Sequence, residues 1–302
     1  MRKLRYKVFK ILITGATGYL GSALVHSLLN ASAHYEISVL KRSTSNIWRL
    51  SGWAHKISFF DVDQVDISRL FAEKKFDLIL HCATLYGRKN ESLSEMAYSN
   101  VILPLRVLES AINGDIKTFI NIDTMLSDNI SRYSVTKSQF RQWLRLASAE
   151  INVVNIRLEH FYGPGDGEEK FVTFLIKSLL QNKSEIPLTS GLQLRDFVYI
   201  DDVIQAIMVI FSKTLKNSGP NYIEYEVGLG FRVSIREIAE LCKLISGNRV
   251  TKLNFGALPS RSGDDQVVEV NLQALKELGW TPKWDLTRGI SQVIFDERKK
   301  LK

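Results

Sequence analysis

Only two cysteines, Cys82 and Cys242, occur in 302 residues, and neither stands at a metal-ligand spacing from other ligands. That argues against a disulfide framework and a thiolate metal site, and it suits a reducing cytoplasm; no metal is expected. No apolar run is long enough to span a bilayer, so no membrane partner is expected. A basic stripe interleaved with aromatics is missing too. The formal charge of +8 comes from 40 Lys and Arg against 32 Asp and Glu, scattered except for small clusters at residues 1–10 and 298–302. Solvated termini explain this better than nucleic acid, while a mild positive field favours an anionic small substrate. The basic residues 1–5 resemble the start of a signal peptide. The apolar part that follows is short and runs into a glycine turn, which predicts a first strand.

What is present is a core. At 45% hydrophobic content, the chain can bury one large α/β unit or two domains. Residues 10–21 (KILITGATGYLG) run from an apolar strand pattern into three glycines spaced three apart, and residues 22–29 continue as an amphipathic helix. Such a turn lets a diphosphate sit on bare backbone N–H groups at the positive end of a helix dipole. Gly15 permits the turn, Gly18 the approach of phosphates, and Gly21 the packing of helix on strand. Thr17, Tyr19 and Leu20 line the same turn. A purely structural loop is the plainer alternative.

The next strand, residues 37–40, ends at Lys41-Arg42-Ser43. An acid at this place holds the ribose 2′-hydroxyl of NAD; here two cations stand instead, with Arg42 matched to a 2′-phosphate and Lys41 or Ser43 assisting. NADPH is therefore expected over NADH, an ordinary basic loop being the alternative. Asp61 and Val62, closing a third strand, are expected near the adenine. Residues 76–84 form a nearly all-apolar fourth strand whose end, at Ala83, borders the cofactor; His81 within it reads as structural. A helix over residues 100–112 and a strand over 118–124 follow. Strand and helix alternate throughout, which predicts a doubly wound parallel sheet.

Ligands of such sheets lie beyond the carboxyl ends of strands, where Thr124 stands. Nine residues later come Tyr133 and Lys137, four apart on one helix face. A phenol is a poor acid at neutral pH. An ammonium about 5 Å away favours phenolate by about 3 kcal/mol at an effective dielectric near 20, or about two pKa units. Tyr133 can then exchange a proton with the oxygen of a ketone or alcohol while Thr124 hydrogen-bonds that oxygen. A surface tyrosine and lysine is the alternative.

With Gly15, Gly18, Gly21, Thr124, Tyr133 and Lys137 in this order, the sequence resembles the extended short-chain dehydrogenase/reductases, the nucleotide-sugar epimerase, dehydratase and reductase family. The resemblance runs on through residues 157–168, 195–203 and 259–264. It implies a Rossmann-type NADP-binding domain over 1–163 and a mainly nucleotide-sugar-binding, smaller α/β domain over 164–302, with about 194–230 returning to the first. It further implies Lys137 on the nicotinamide ribose, and His160, Arg195 and Arg261 as ligands of the sugar nucleotide. A homodimer is the family expectation. Dehydratases of the family carry an acidic pair after the hydroxyl residue; Met125-Leu126 stands here, which argues against elimination. Epimerases recycle captive NAD⁺, whereas Lys41-Arg42 suggests exchangeable NADPH. The expected activity is thus reduction of the 4-ketone of a nucleotide-linked deoxy sugar. Residues 100–105, 157–168 and 225–230 resemble family reductases of CDP-linked dideoxy sugars of O-antigen. Reductases delivering hydride to the opposite face, NAD-dependent 4-epimerases and non-catalytic NADP(H)-binding proteins remain alternatives.

Overall fold

The structure is a computed structural model describing residues 8–31, 35–215, 219–260 and 269–301; Arg261 lies outside them. In the first half β1 (Phe9–Thr14), α1 (Tyr19–Asn30), β2 (Tyr35–Lys41) and β3 (Ile57–Asp61) lead to α2 (Ile67–Lys74) and β4 (Leu78–His81). Then come α3 (Leu93–Ala97), α4 (Leu103–Asn113), β5 (Thr118–Thr124), α5 (Arg132–Ala147) and β6 (Asn152–Leu158). The second half contains β7 (His160–Tyr162), α6 (Phe171–Leu180), β8 (Glu185–Leu188), β9 (Leu194–Tyr199) and α7 (Ile200–Thr214). It ends with β10 (Asn221–Val227), β11 (Arg232–Ser234), α8 (Ile235–Ser246), β12 (Lys252–Phe255), α9 (Gln273–Glu277) and α10 (Leu286–Lys300).

Seven strands form one sheet in the order β10-β6-β5-β4-β1-β2-β3, the α/β doubly wound fold expected. β1 pairs in parallel with both β2 and β4, and the chain winds outward in opposite directions from it, so the end of β1 is the switch point where such sheets bind ligands. A strand buried on both faces must be apolar throughout, and Ile11, Leu12 and Ile13 of β1 are all fully buried. Below the sheet, Phe71, Phe119, Phe140 and Leu144 anchor the core that seats α2, α4 and α5.

The chain divides into two compact units. The first holds residues up to Thr124, Ser131–Arg157 and Phe211–Tyr225; the second holds Met125–Ile130, Leu158–Ile210 and Glu226–Lys302. The return to the first unit is therefore shorter than the 194–230 expected from sequence, because β9 pairs with β7 and β11 in a separate three-stranded sheet. In this second unit β8 and β12 form a parallel pair, and Trp280, following the positive-φ Gly279, is buried with its indole N–H on the carbonyl of Asp202.

One local feature was not read from the sequence, and one differs from that reading. A 3-10 segment, Trp48–Lys56, fills the connection from β2 to β3. The helix expected over 100–112 starts earlier, at α3 under a Ser92–Glu95 capping box, and passes through a π-helical turn at Tyr98–Ile102 before α4. The irregular turn meets Pro104, which has no N–H for a regular helical bond.

Candidate active site

The glycine turn at the end of β1 is shaped by close backbone approach. Gly15 has φ +69°, and a Cβ on it would meet the backbone of Ala83, at the end of β4, at 2.4 Å. At Gly21 a Cβ would meet the carbonyl oxygen of Gly15 at 2.3 Å. No other residue fits either place. Helices α2, α3, α5, α8 and α10 each begin under an Asp or Ser side chain that accepts from their first N–H groups. α1 begins under Gly18, which has no side chain to do so, and no acid lies in its first turn. The cradle and the uncapped positive helix end fit the diphosphate of a nicotinamide dinucleotide.

Beside it, the end of β2 is arranged differently from expectation. Lys41 and Asp61 are register partners on β2 and β3, and the ammonium is ion-paired with the carboxylate. Both residues assigned to the cofactor thus engage each other, and Val62 donates its N–H to the carbonyl of Lys41 at 2.7 Å. The N–H and hydroxyl of Ser43 both bond to Asp63. Arg42 is exposed.

At the end of β5 the expected constellation comes together within the first unit. Thr124 is buried at the strand terminus, and Tyr133 is half-buried in the first turn of α5, which Ser131 and Ser134 cap reciprocally. The ring of Tyr86 lies 5.0 Å from that of Tyr133. Lys137, one turn further along, is buried and donates to the carbonyl of Ile122 at 2.7 Å.

The electrostatics correct one expectation. Burial, then Tyr86 and Asp123, raise the Tyr133 phenol well above its ordinary value, and the hydroxyls of Thr124 and Thr84 act in the opposite direction. Lys137 was expected to lower it; its ammonium faces the Ile122 carbonyl, and burial lowers its own pKa. These influences favour the protonated form of the Tyr133 phenol.

Beneath these groups lies a polar floor. Asp123 accepts from the N–H of Thr124 at 2.8 Å, from Arg141 at 2.6 Å and from Asn155 at 3.0 Å. Asn155 also donates to Glu224, at 3.0 Å, which accepts from Tyr222 and pairs with Arg157 and Arg145. Nearby, His81 is buried against Phe119 and Phe140 and shares a 2.7 Å hydrogen bond with Thr14, the structural place expected for it. Sequence reading missed Thr84, Tyr86 and Asp123. For the first two the available signal was their position just beyond β4. For Asp123 it was a carboxylate within a buried strand, directly before Thr124.

In the second unit, His160 at the start of β7 is half-exposed, with Nδ1 3.2 Å from the carboxylate of Glu159 and its ring beside Phe197. Arg195 and Asp196 are consecutive on β9 and so face opposite ways. Asp196 is buried and accepts from the N–H groups of Leu229 and Gly230, while Arg195 bonds the carbonyl of Leu194. Burial, the largest influence, raises the Asp196 carboxyl to about 6. Among the described residues no group of acids, histidines and cysteines could hold a metal, and no helix is long and apolar enough to cross a membrane.

A Rossmann-type sheet with a glycine cradle, Thr124 at a strand end, and Tyr133 and Lys137 on the following helix has the arrangement of a nicotinamide-dependent oxidoreductase. Residues 11–228 match the NAD dependent epimerase/dehydratase family, and the chain belongs to that family. It is similar to the CDP-abequose synthase of Salmonella typhimurium, 30% identical with 94% of this chain and 97% of the relative covered. The CDP-abequose synthase of Salmonella muenchen is 31% identical over the same shares. Among solved structures, a UDP-glucuronic acid 4-epimerase from Bacillus cereus, in complex with UDP-glucuronic acid and NAD, has a TM-score of 0.82 at 24% identity, covering 97% of this chain and all of that one.

Proposed function

We propose that the protein is an NADPH-dependent 4-ketoreductase of a nucleotide-linked deoxy sugar, converting CDP-4-keto-3,6-dideoxy-D-glucose to CDP-abequose for O-antigen in the cytoplasm. The observation that supports the reaction class is the placing of Thr124 at the end of β5 and of Tyr133 and Lys137 one turn apart on α5. A reductase must begin with a proton to give. The likeness to two CDP-abequose synthases over nearly the whole chain supports the substrate.

Bound NADPH would supply a hydride to C4 of the sugar. Tyr133 donates its proton to the C4 oxygen as charge develops there, and Thr124 donates a hydrogen bond to the same oxygen. Lys137, held by the Ile122 carbonyl, is assigned to the nicotinamide ribose. The cradle at Gly15, Thr17, Gly18, Tyr19 and Leu20 holds the diphosphate, with Ala83 at its edge, Asp61 and Val62 toward the adenine, and Arg42 toward a 2′-phosphate. His160, Arg195 and Arg261 are assigned to the sugar nucleotide. Exposed apolar side chains on neighbouring helices of the first unit, Tyr98, Ile102, Trp143 and Leu146, favour a homodimer through that face.

Offering CDP-, dTDP-, GDP- and UDP-linked 4-keto sugars with NADPH, and determining the product's configuration at C4, tests the reading. The expected result is stoichiometric NADPH oxidation with the CDP sugar and the abequose configuration; the paratose configuration would move the protein to the opposite-face reductases. The Lys41–Asp61 pair, which neutralises one of two cations at the ribose, favours a second reading as an NAD-dependent 4-epimerase. Tightly retained NAD⁺ with no net oxidation of NADPH would establish that alternative.

A further inference from the structure

Strand β4 ends at His81, whose register partner is Asn121, so residues 122–124 at the end of β5 run beyond it. Charged side chains hold the backbone there. Lys137 donates to the carbonyl of Ile122 at 2.7 Å, and Arg157 Nε donates to the carbonyl of Thr124 at 3.3 Å. One oxygen of the Asp123 carboxylate accepts from the N–H of Thr124 at 2.8 Å. Both polar backbone groups of Thr124 are thus tied to charged side chains. The other carboxylate oxygen accepts from Arg141 Nε at 2.6 Å and from Asn155 Nδ2 at 3.0 Å. The amide of Asn155 is set in turn: its oxygen accepts from Asn121 at 2.7 Å, and its nitrogen also donates to Glu224 at 3.0 Å. Residues 133, 137 and 141 are spaced four apart and share one face of α5. The helix that carries Tyr133 is therefore bonded, through Arg141 and Asp123, to the strand end that carries Thr124.

We propose that Asp123 and Arg141 are positioning residues, which hold Thr124 from the helix of Tyr133 so that both hydroxyls meet the one substrate oxygen. This rests on the reductase reading above. The pair is assigned no proton and no substrate contact; it acts through the N–H of Thr124. Stability alone does not account for it, because apolar residues of similar volume often serve a buried site as well as an ion pair or better. What they cannot do is accept an N–H and fix its direction. A hydroxyl aimed at a developing charge tolerates an error of about half an ångström. A carboxylate whose side chain is fully buried, with donors from Thr124, Arg141 and Asn155 around it, supplies that precision.

Asp123→Leu combined with Arg141→Met removes both charges at similar volume, so no buried ion is left unpaired. This apolar pair is expected to lose about thirtyfold in kcat, with KM and NADPH affinity changed less than about twofold. Arg141→Lys keeps the charge without the planar fork and is expected to lose about fivefold in kcat; it carries the same test should the apolar pair not fold. In a Thr124→Ala background each change is expected to add less than about twofold, since its effect passes through Thr124. A merely structural pair would slow that background as much as the parent. Amide hydrogen exchange, followed by NMR, reads the contact without substrate. The Thr124 N–H is expected to exchange at least about tenfold faster in either variant, and that of Ile120 at an unchanged rate. An unchanged kcat, an equal loss in the Thr124→Ala background, or a Thr124 N–H that exchanges no faster would overturn the proposal. A faster Thr124 N–H in a protein that reduces no 4-keto sugar would instead overturn the reductase reading.

Discussion

The floor under Thr124 and the rim beside β2 use the same charged residue types under opposite conditions. At the floor, Asp123 and Arg141 pair with side chains 0% and 8% exposed, and Asn155 and the N–H of Thr124 occupy the remaining carboxylate positions. At the rim, Lys41 pairs with Asp61 near solvent, Ser43 with Asp63, and Arg42 is exposed. A buried charge held on several sides fixes geometry and is costly to unpair. A solvated charge is held loosely and can exchange its partner for a ligand's. The floor should therefore govern catalysis and stability, and the rim only which dinucleotide is preferred.

The largest effect expected tests the floor's purpose. Tyr133→Phe should lower turnover by about 10³-fold, the scale of a lost general acid, while NADPH affinity by fluorescence titration changes less than about twofold. Next, Arg141→Leu leaves Asp123 buried without its cation and should cost about 3–5 kcal/mol of stability, read from the urea midpoint. If that midpoint moves no more than for a rim variant, the contrast between floor and rim is wrong.

A third test uses pH. Burial, with Lys137 nearby, pushes the imidazole of His81 down from 6.5 to about 3. The native protein then holds His81 neutral while the unfolded chain takes up a proton below 6.5. Stability is complete above 6.5 and falls on acidification, by about 1.4 kcal/mol per pH unit between the two values, or about 2 kcal/mol at pH 5. His81→Asn should flatten the fall between pH 7.5 and 5 by that amount.

How far the sequence could be read follows the same division. Gly15 and Gly21 were legible because a positive φ and a 2.3 Å approach each leave one residue type, whatever surrounds them. Thr124, Tyr133 and Lys137 were legible as a set because a strand end and one helix face bring them together. The direction of the Lys137 ammonium was not, since it depends on the carbonyl of Ile122, 15 residues away in sequence. The Lys41–Asp61 pair was hidden for the same reason: it is made by the register of β2 on β3. Charge partners chosen by tertiary placement leave no local pattern.

Within the rim the fourth prediction is smaller. Arg42→Ala should weaken NADPH about tenfold and NADH hardly at all, one planar charge-assisted contact being removed. Equal losses for both dinucleotides would remove the case for a 2′-phosphate.

The smallest effect decides whether Lys41 belongs to the cofactor or to the fold. Its ammonium faces Asp61 from the neighbouring strand, with side chains 13% and 29% exposed, so its charge is largely balanced before any ligand arrives. Lys41→Met should therefore weaken NADPH less than about threefold, and the freed Asp61 carboxylate would account for that loss by repelling the phosphate. Adding Asp61→Asn to Lys41→Met should then recover the affinity, since the carboxylate's charge goes with it. A double variant that binds NADPH more weakly than Lys41→Met alone would return Lys41 to the phosphate-binding role that its sequence position suggests, and would make the ion pair with Asp61 a resting arrangement that the cofactor displaces.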